Sequence, residues 1–211
     1  NVEPDLMITP AEGKVFKADG EVYDWIYEQE SVKNMCCVLQ EQVFISYDGQ
    51  QGLAKAKGVD WIYEEESPLK DHLTEGEFNL HRGDIPMASV GAGLAYEMGI
   101  SPRFLAGIEL YFPTRTGRIS LANPLSSLEF IKVWPSSIFS VSSDVDSDLM
   151  ILPIECMREL LEHEDEVSAV EIRLVEGTDS KELKRLQEEI GRQLGPDFKV
   201  RDRFQQNESL Y

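Results

Sequence analysis

Three histidines (His72, His81, His163) and three cysteines (Cys36, Cys37, Cys156) are the side chains here best suited to bind a metal or attack a substrate. Their spacing commits them to neither. No two histidines stand at ligand spacing, and no cysteine lies at zinc-finger distance from a histidine. Cys36 and Cys37 are adjacent, which strains any bond between them and, on a strand, sends them to opposite faces. Three buried free thiols are the simplest reading, with a bridge from Cys36 or Cys37 to Cys156 as the alternative. The chain has no Gly-x-Ser-x-Gly elbow to present a nucleophilic serine. A cysteine–histidine pair assembles in space, so spacing neither supports nor removes it.

Two other patterns resemble ligand-binding loops and fail on a required residue. Asp144, Asp146 and Asp148 alternate as DVDSD. A calcium loop needs glycine at its sixth position and a bidentate glutamate at its twelfth; Leu149 and Glu155 stand there, so the turn requirement fails. Gly91-Ala92-Gly93 lacks the third glycine of a dinucleotide loop, which is Tyr96 here, and reads as a small-residue helix turn. HEDE, from His163 to Glu166, is the polar end of a preceding helix. No residue is assigned a catalytic, cofactor-binding or metal-binding role.

The bulk numbers point the same way. The 211 residues are 42% hydrophobic and 28% charged, a globular composition long enough to bury a core. Lys and Arg number 20 against 39 Asp and Glu, a net charge of −19 that argues against nucleic acid and anionic lipid as partners. No apolar run of about 18 residues is present, so nothing here spans a membrane as a helix. The sequence begins at Asn1 without an initiator Met or a signal-like start, and is expected to be a soluble piece of something longer.

The elements that position these residues fall into three stretches. Met7 to Phe16 reads as a kinked strand, GEVYDWIYEQESV as a helix, and NMCCVLQEQVFISY as a strand. Asp48-Gly49 then predicts a hairpin into GLAKAKGVDWIY. At the other end VSAVEIRLVEG alternates, with Val170, Ile172 and Leu174 on one face and Glu171 and Arg173 on the other. Asp179 and Glu182 have capping-box spacing ahead of a Leu183–Leu186–Ile190–Leu194 stripe, Gly195-Pro196 ends that helix, and FKVRDRF follows as a strand. Between these ends, IPMASVGAGLAYEMGI reads as a short helix stopped by Gly99, while GIELYFPTRTGRISL and Phe130 to Val145 read as strands. LMILPIECMRELLEHE reads as a strand feeding a helix at Pro153, with Ile154, Met157, Leu160 and Leu161 inward. Similar α/β units at both ends with a mainly β stretch between them imply one domain interrupted by an insertion. DWIYEQES (Asp24 to Ser31) and DWIYEEES (Asp60 to Ser67) are near-copies; the first is predicted helical, and the second extended because it runs into Ser67-Pro68.

Several phrases resemble the periplasmic core domain of ABC-transporter permeases of the MacB, LolC/LolE and FtsX group. Asp148 to Ile154 is similar to that family's aspartate followed by a hydrophobic–Pro–hydrophobic helix start. Val167 to Leu174 resembles its lead into the final helix, and Gln205, Gln206, Asn207 and Glu208 resemble its run toward a membrane helix. Gly58 to Asp60 and Val90 to Ile100 resemble the opening of its middle region.

The resemblance implies an α+β fold: a Porter-like α/β subdomain from both chain ends (1–58 and 166–211) and an inserted, mainly β, Sabre-like subdomain (59–165). It implies a non-catalytic domain without cofactor on the extracytoplasmic face of the bacterial inner membrane. There it would couple the motion of flanking transmembrane helices to export or release of a lipoprotein, peptide or drug. Its implied partners are those helices, a separate ATP-binding subunit or domain, and a periplasmic partner or cargo. Asn1 and Tyr211 are then expected close together. The alternatives are an FtsX-like regulator of a cell-wall hydrolase and a secreted enzyme with a site of scattered acids. For partner contact, FIKVWPSSIF offers Phe130, Trp134 and Phe139; the competing reading makes Trp134 and Phe139 core of the insertion.

Overall fold

The computed structural model describes residues 2–115, 121–122 and 127–208. In chain order the elements begin with β1 (Leu6–Pro10), β2 (Phe16–Lys17), α1 (Glu21–Glu28), β3 (Val32–Tyr47), β4 (Gln50–Val59) and α2 (Trp61–Glu66). A 3-10 turn (Pro68–His72) leads to β5 (Leu73–Gly76), β6 (His81–Arg82), β7 (Ile85–Gly91), α3 (Ala92–Met98), β8 (Ile108–Pro113) and β9 (Leu128–Phe139). There follow α4 (Ser143–Asp146), β10 (Leu149–Pro153), α5 (Ile154–Leu161), β11 (Glu166–Val167), β12 (Ala169–Leu174), α6 (Ser180–Leu194), β13 (Phe198–Asp202) and α7 (Arg203–Glu208). The chain is a mixed α and β protein, as its patterning predicts.

It divides into two compact units. Unit one takes the chain up to Leu39 and again from Asp165; unit two is Gln40–Glu164. The first boundary therefore differs from the one drawn at residue 58. The reason is β3, one unbroken 16-residue strand whose early residues pair with β12 and whose late residues pair with β8.

Unit one is an antiparallel sheet in the order β13, β1, β12, β3. A central strand is covered on both faces, so the polar side of β12 is buried as well: Glu171 is 3% exposed. Its carboxylate is answered by Arg173, whose Nη2 lies 3.1 Å from Oε1. Isolated, that carboxylate would be costly to bury. In α6 the Asp179 side chain accepts the Glu182 N–H at 2.8 Å, and Leu186 and Ile190 are fully buried. Those two side chains contribute about 2 kcal/mol each.

The two ends of the described chain meet in this unit. Gln206 donates its amide to the Pro4 carbonyl at 3.3 Å, and Asn207 donates to a Glu3 carboxylate oxygen at 3.4 Å. Arg203 pairs with Asp5 at 3.0 Å. The expected closeness of Asn1 and Tyr211 themselves lies outside the described residues.

Unit two closes on itself. Hydrogen-bonded neighbours run from the late residues of β3 to β4, β10, β7, β9, β8 and back to β3. Each of these six strands thus has two hydrogen-bonded neighbours within the circuit. The Asp48-Gly49 hairpin forms as predicted, both residues at positive φ (46° and 85°). The strand feeding a helix also forms, as β10 and α5, with Ile154, Met157, Leu160 and Leu161 all buried.

Three local expectations are corrected. Asp60 to Ser67 is not extended: α2 occupies Trp61–Glu66, because the Asp60 side chain caps it by accepting the Tyr63 N–H at 3.1 Å. The restriction that Pro68 imposes reaches only Ser67 (ψ 132°). Ile85–Gly91 is a strand, buried from Met87 onward, and the helix predicted there is confined to Ala92–Met98. Ser143 to Val145, placed at the end of a strand, lies instead in α4, and Asp146 turns inward to accept the Val141 N–H at 2.9 and 3.0 Å. This also explains the small residues of Gly91-Ala92-Gly93. A Cβ on Gly91 would stand 2.6 Å from the Asp146 carbonyl oxygen, so the motif admits the α4 backbone.

Candidate docking surface

The outer face of the unit-two circuit carries an apolar row. Side chains alternate along a strand, so residues opposite one another in register share a face. Register places Phe44 of β3 opposite Tyr111 of β8, and Tyr111 opposite Phe130 of β9. Tyr111 and Phe130 stack with ring centroids 5.3 Å apart. Leu53 of β4 extends the row on the far side of Phe44. Together with Gly52 and Leu128 these residues line a groove of about 910 Å³. Phe44, Leu53 and Phe130 are each about half exposed (54%, 50% and 49%). Their strand neighbours Val43, Ile45, Ala54 and Ile131 are buried. Tyr111, half-buried, donates its hydroxyl to Glu109 at 2.8 Å.

The three residues expected at a partner contact separate accordingly. Phe130 lies open in the groove wall. Trp134 is half-buried, with the Lys132 ammonium 5.6 Å from its ring centre. Phe139 is 0% exposed and belongs to the core, which removes it as a contact. An even separation keeps Trp134 on the face of Phe130. Beyond Pro135 the pairing of β9 with β7 shifts register, so strict alternation ends there, and the consecutive residues Ser137, Ile138 and Phe139 are all buried. The same parity could have found Phe44. It stands between Gln42 and Ser46 on the polar side of β3, while Val43, Ile45 and Tyr47 face inward.

The chemically suggestive residues are otherwise engaged. Cys36, Cys37 and Cys156 are joined in no disulfide, and the Cys36 thiol donates to the Asn34 side-chain oxygen at 3.6 Å. Burial, then the nearby Glu155 and Glu159, pushes the Cys156 thiol up to about 12, so it is not a thiolate nucleophile. Arg115 donates from Nη1 to the Glu162 carbonyl at 2.9 Å and lies 3.0 Å from His163 Nδ1. Acids and a histidine do converge at His81, with Nδ1 2.8 Å from Glu64 and Nε2 2.6 Å from Glu155. Both ring nitrogens are thereby occupied, and the cluster is at the surface. Among the described residues, no group of three or more His, Cys, Asp or Glu side chains is arranged to hold a metal ion. No described helix is long and apolar enough to cross a membrane.

This two-unit chain has the fold of the extracytoplasmic domains of ABC-transporter permeases. It is similar to the periplasmic region of MacB from Actinobacillus actinomycetemcomitans, at 10% identity and TM-score 0.59 over 99% of this chain and 94% of that one. It is also similar to the extracellular domain of the ABC-type transporter YknZ from Gram-positive bacteria, at 13% identity and TM-score 0.58, covering 94% and 99%. A domain of a permease protein from Porphyromonas gingivalis aligns at 15% identity and TM-score 0.50, covering 93% and 88%. At such identities the likeness is one of fold. No family model and no curated protein sequence matches the chain.

Proposed function

We propose that the chain is a non-catalytic extracytoplasmic domain of an ABC-transporter permease, set between two neighbouring membrane helices. It converts their motion into the release or export of a lipoprotein, peptide or drug. Unit one is the Porter-like subdomain and unit two the Sabre-like insertion; ATP is hydrolysed elsewhere, by a separate ATP-binding subunit or domain. The observation that carries this reading is the meeting of the two ends, where Glu3 and Pro4 hydrogen-bond Asn207 and Gln206. A domain hung between adjacent membrane helices requires both of its ends at one place, and the likeness of fold supports the same conclusion. In this reading Phe130, with Phe44, Leu53 and Tyr111, is where a periplasmic partner or cargo docks.

The full-length protein supplies the test. Apolar runs of about 20 residues are expected close before Asn1 and close after Tyr211. Polar sequence on either side refutes the reading. In that same protein a photoreactive residue at position 130 is expected to crosslink the periplasmic partner; labelling by solvent alone removes the docking assignment.

A further inference from the structure

We propose that His81 and its two carboxylates form a proton-operated latch that closes the first turns of α2 and α5 onto the β6–β7 hairpin. The topology brings these parts together. β4 and β10 are parallel neighbours, with Val59 beside Pro153, and each runs directly into a helix at that end. Glu64 lies in α2 and Glu155 in the first turn of α5, and His81 of β6 stands between them.

The geometry itself specifies a charge state. A carboxylate only accepts hydrogen bonds, and a neutral imidazole has one N–H and one bare nitrogen. With Nδ1 2.8 Å from Glu64 and Nε2 2.6 Å from Glu155, only the imidazolium satisfies both contacts. Losing the proton leaves one nitrogen lone pair facing a carboxylate, so one arm opens. Glu64 passes the effect onward, because its other oxygen accepts the Leu80 N–H at 2.9 Å, and the Leu80 carbonyl accepts the Met87 N–H.

The surroundings leave these two carboxylates in control. Opposite His81 on β7 stands Pro86, which carries no charge. Arg82, next along β6, points to the other side of the strand. On β4 the Lys57 ammonium lies over the Tyr63 ring, 5.1 Å from its centre. Glu159 and Arg158 lie further along α5. Burial lowers the His81 pKa, but the hydrogen bonds to Glu155 and Glu64 outweigh it and hold the group above its ordinary 6.5. The latch is therefore complete below 6.5 and opens as pH rises through the raised folded value. On the extracytoplasmic face, where the proposed function places the domain, that proton comes from the surroundings rather than from a buffered cytoplasm.

Imidazole NMR and amide hydrogen exchange on the intact 211-residue chain test this. His81 is expected to stay doubly protonated above pH 6.5, and Leu80 N–H protection to fall up to about fivefold as it deprotonates. Glu155→Gln, which leaves the fold and the Leu80 contact in place, should move the His81 midpoint down. His81→Gln should abolish the pH step in protection. Titration of His81 at or below 6.5, or Leu80 protection that stays level across its titration, overturns the latch. Neither result bears on the meeting of the chain ends.

Discussion

The two near-copies, DWIYEQES and DWIYEEES, both form helices, yet they bury different residues. In α1 Ile26 is 0% exposed and Tyr27 70%; in α2 Tyr63 is 3% exposed and Trp61 67%. Ile62, the counterpart of Ile26, is only half-buried. The letters match and the faces do not, because the helices start at different points. α1 begins at Glu21 after Gly20, whose φ of 107° belongs to glycine, so Asp24 is already inside the helix. In α2 the equivalent Asp60 is the cap itself. A short helix buries whichever residues its starting point turns toward the sheet, and the local string does not carry that information.

The sharpest way to break this comparison is to truncate the matched isoleucines. Ile26→Ala should cost about 3 kcal/mol, the range for a wholly buried aliphatic side chain. Ile62→Ala should cost about 1 kcal/mol or less. Urea unfolding of the two variants decides it, read from the midpoint at unchanged slope. Equal losses would mean that the two copies occupy equivalent environments after all.

The aspartates give a middle-sized effect. Asp60→Ala removes the acceptor for the Tyr63 N–H and should cost about 1 kcal/mol, while Asp24→Ala, exposed on α1, should stay within about 0.5 kcal/mol. Melting temperatures measured side by side check the order. If Asp24 proves the costlier loss, the cap assignment at α2 is wrong.

What the sequence discloses divides along the same line. Features encoded within a few residues are legible: the Asp179 cap and its leucine stripe, the Asp48-Gly49 turn, and the strand that feeds α5. α2 is just as local: the Asp60 cap starts it, and the restriction from Pro68, which predicts an extended segment if carried back, acts on Ser67 alone. The closed circuit of unit two is not local. It depends on parallel pairings of β4 with β10 and of β7 with β9, and strand periodicity says nothing of which strands become neighbours. The docking row stands between these cases. Phe130 is visible as an aromatic on a strand, and parity alone admits Phe44, whereas the burial of Phe139 lies beyond a register shift in β9 that no local string announces. Recognising the groove still requires knowing that β3, β8 and β9 are adjacent.

The smallest effect concerns the fifth residue of each copy. Glu28 is exposed on α1, whereas Glu64 faces His81, 17 residues further along the chain. Both are glutamates in one pentapeptide, so any pH dependence that separates them comes from tertiary context. His81 is held above its ordinary 6.5, so its ion pair with Glu64 stabilises the fold fully below 6.5. That contribution fades as pH rises through the folded value, not as it falls. Glu64→Gln should therefore lower stability at acidic pH by less than about 1 kcal/mol, since the imidazole is partly solvated and its charge screened. The gap from the parent should close toward alkaline pH. Glu28→Gln should show no pH-dependent gap at all. Unfolding midpoints measured across the His81 titration separate the two outcomes. The absence of a gap at any pH would show that Glu64 acts through its Leu80 contact alone, because the glutamine retains that acceptor and not the charge; a gap that widens with pH would overturn the ion pair as its source.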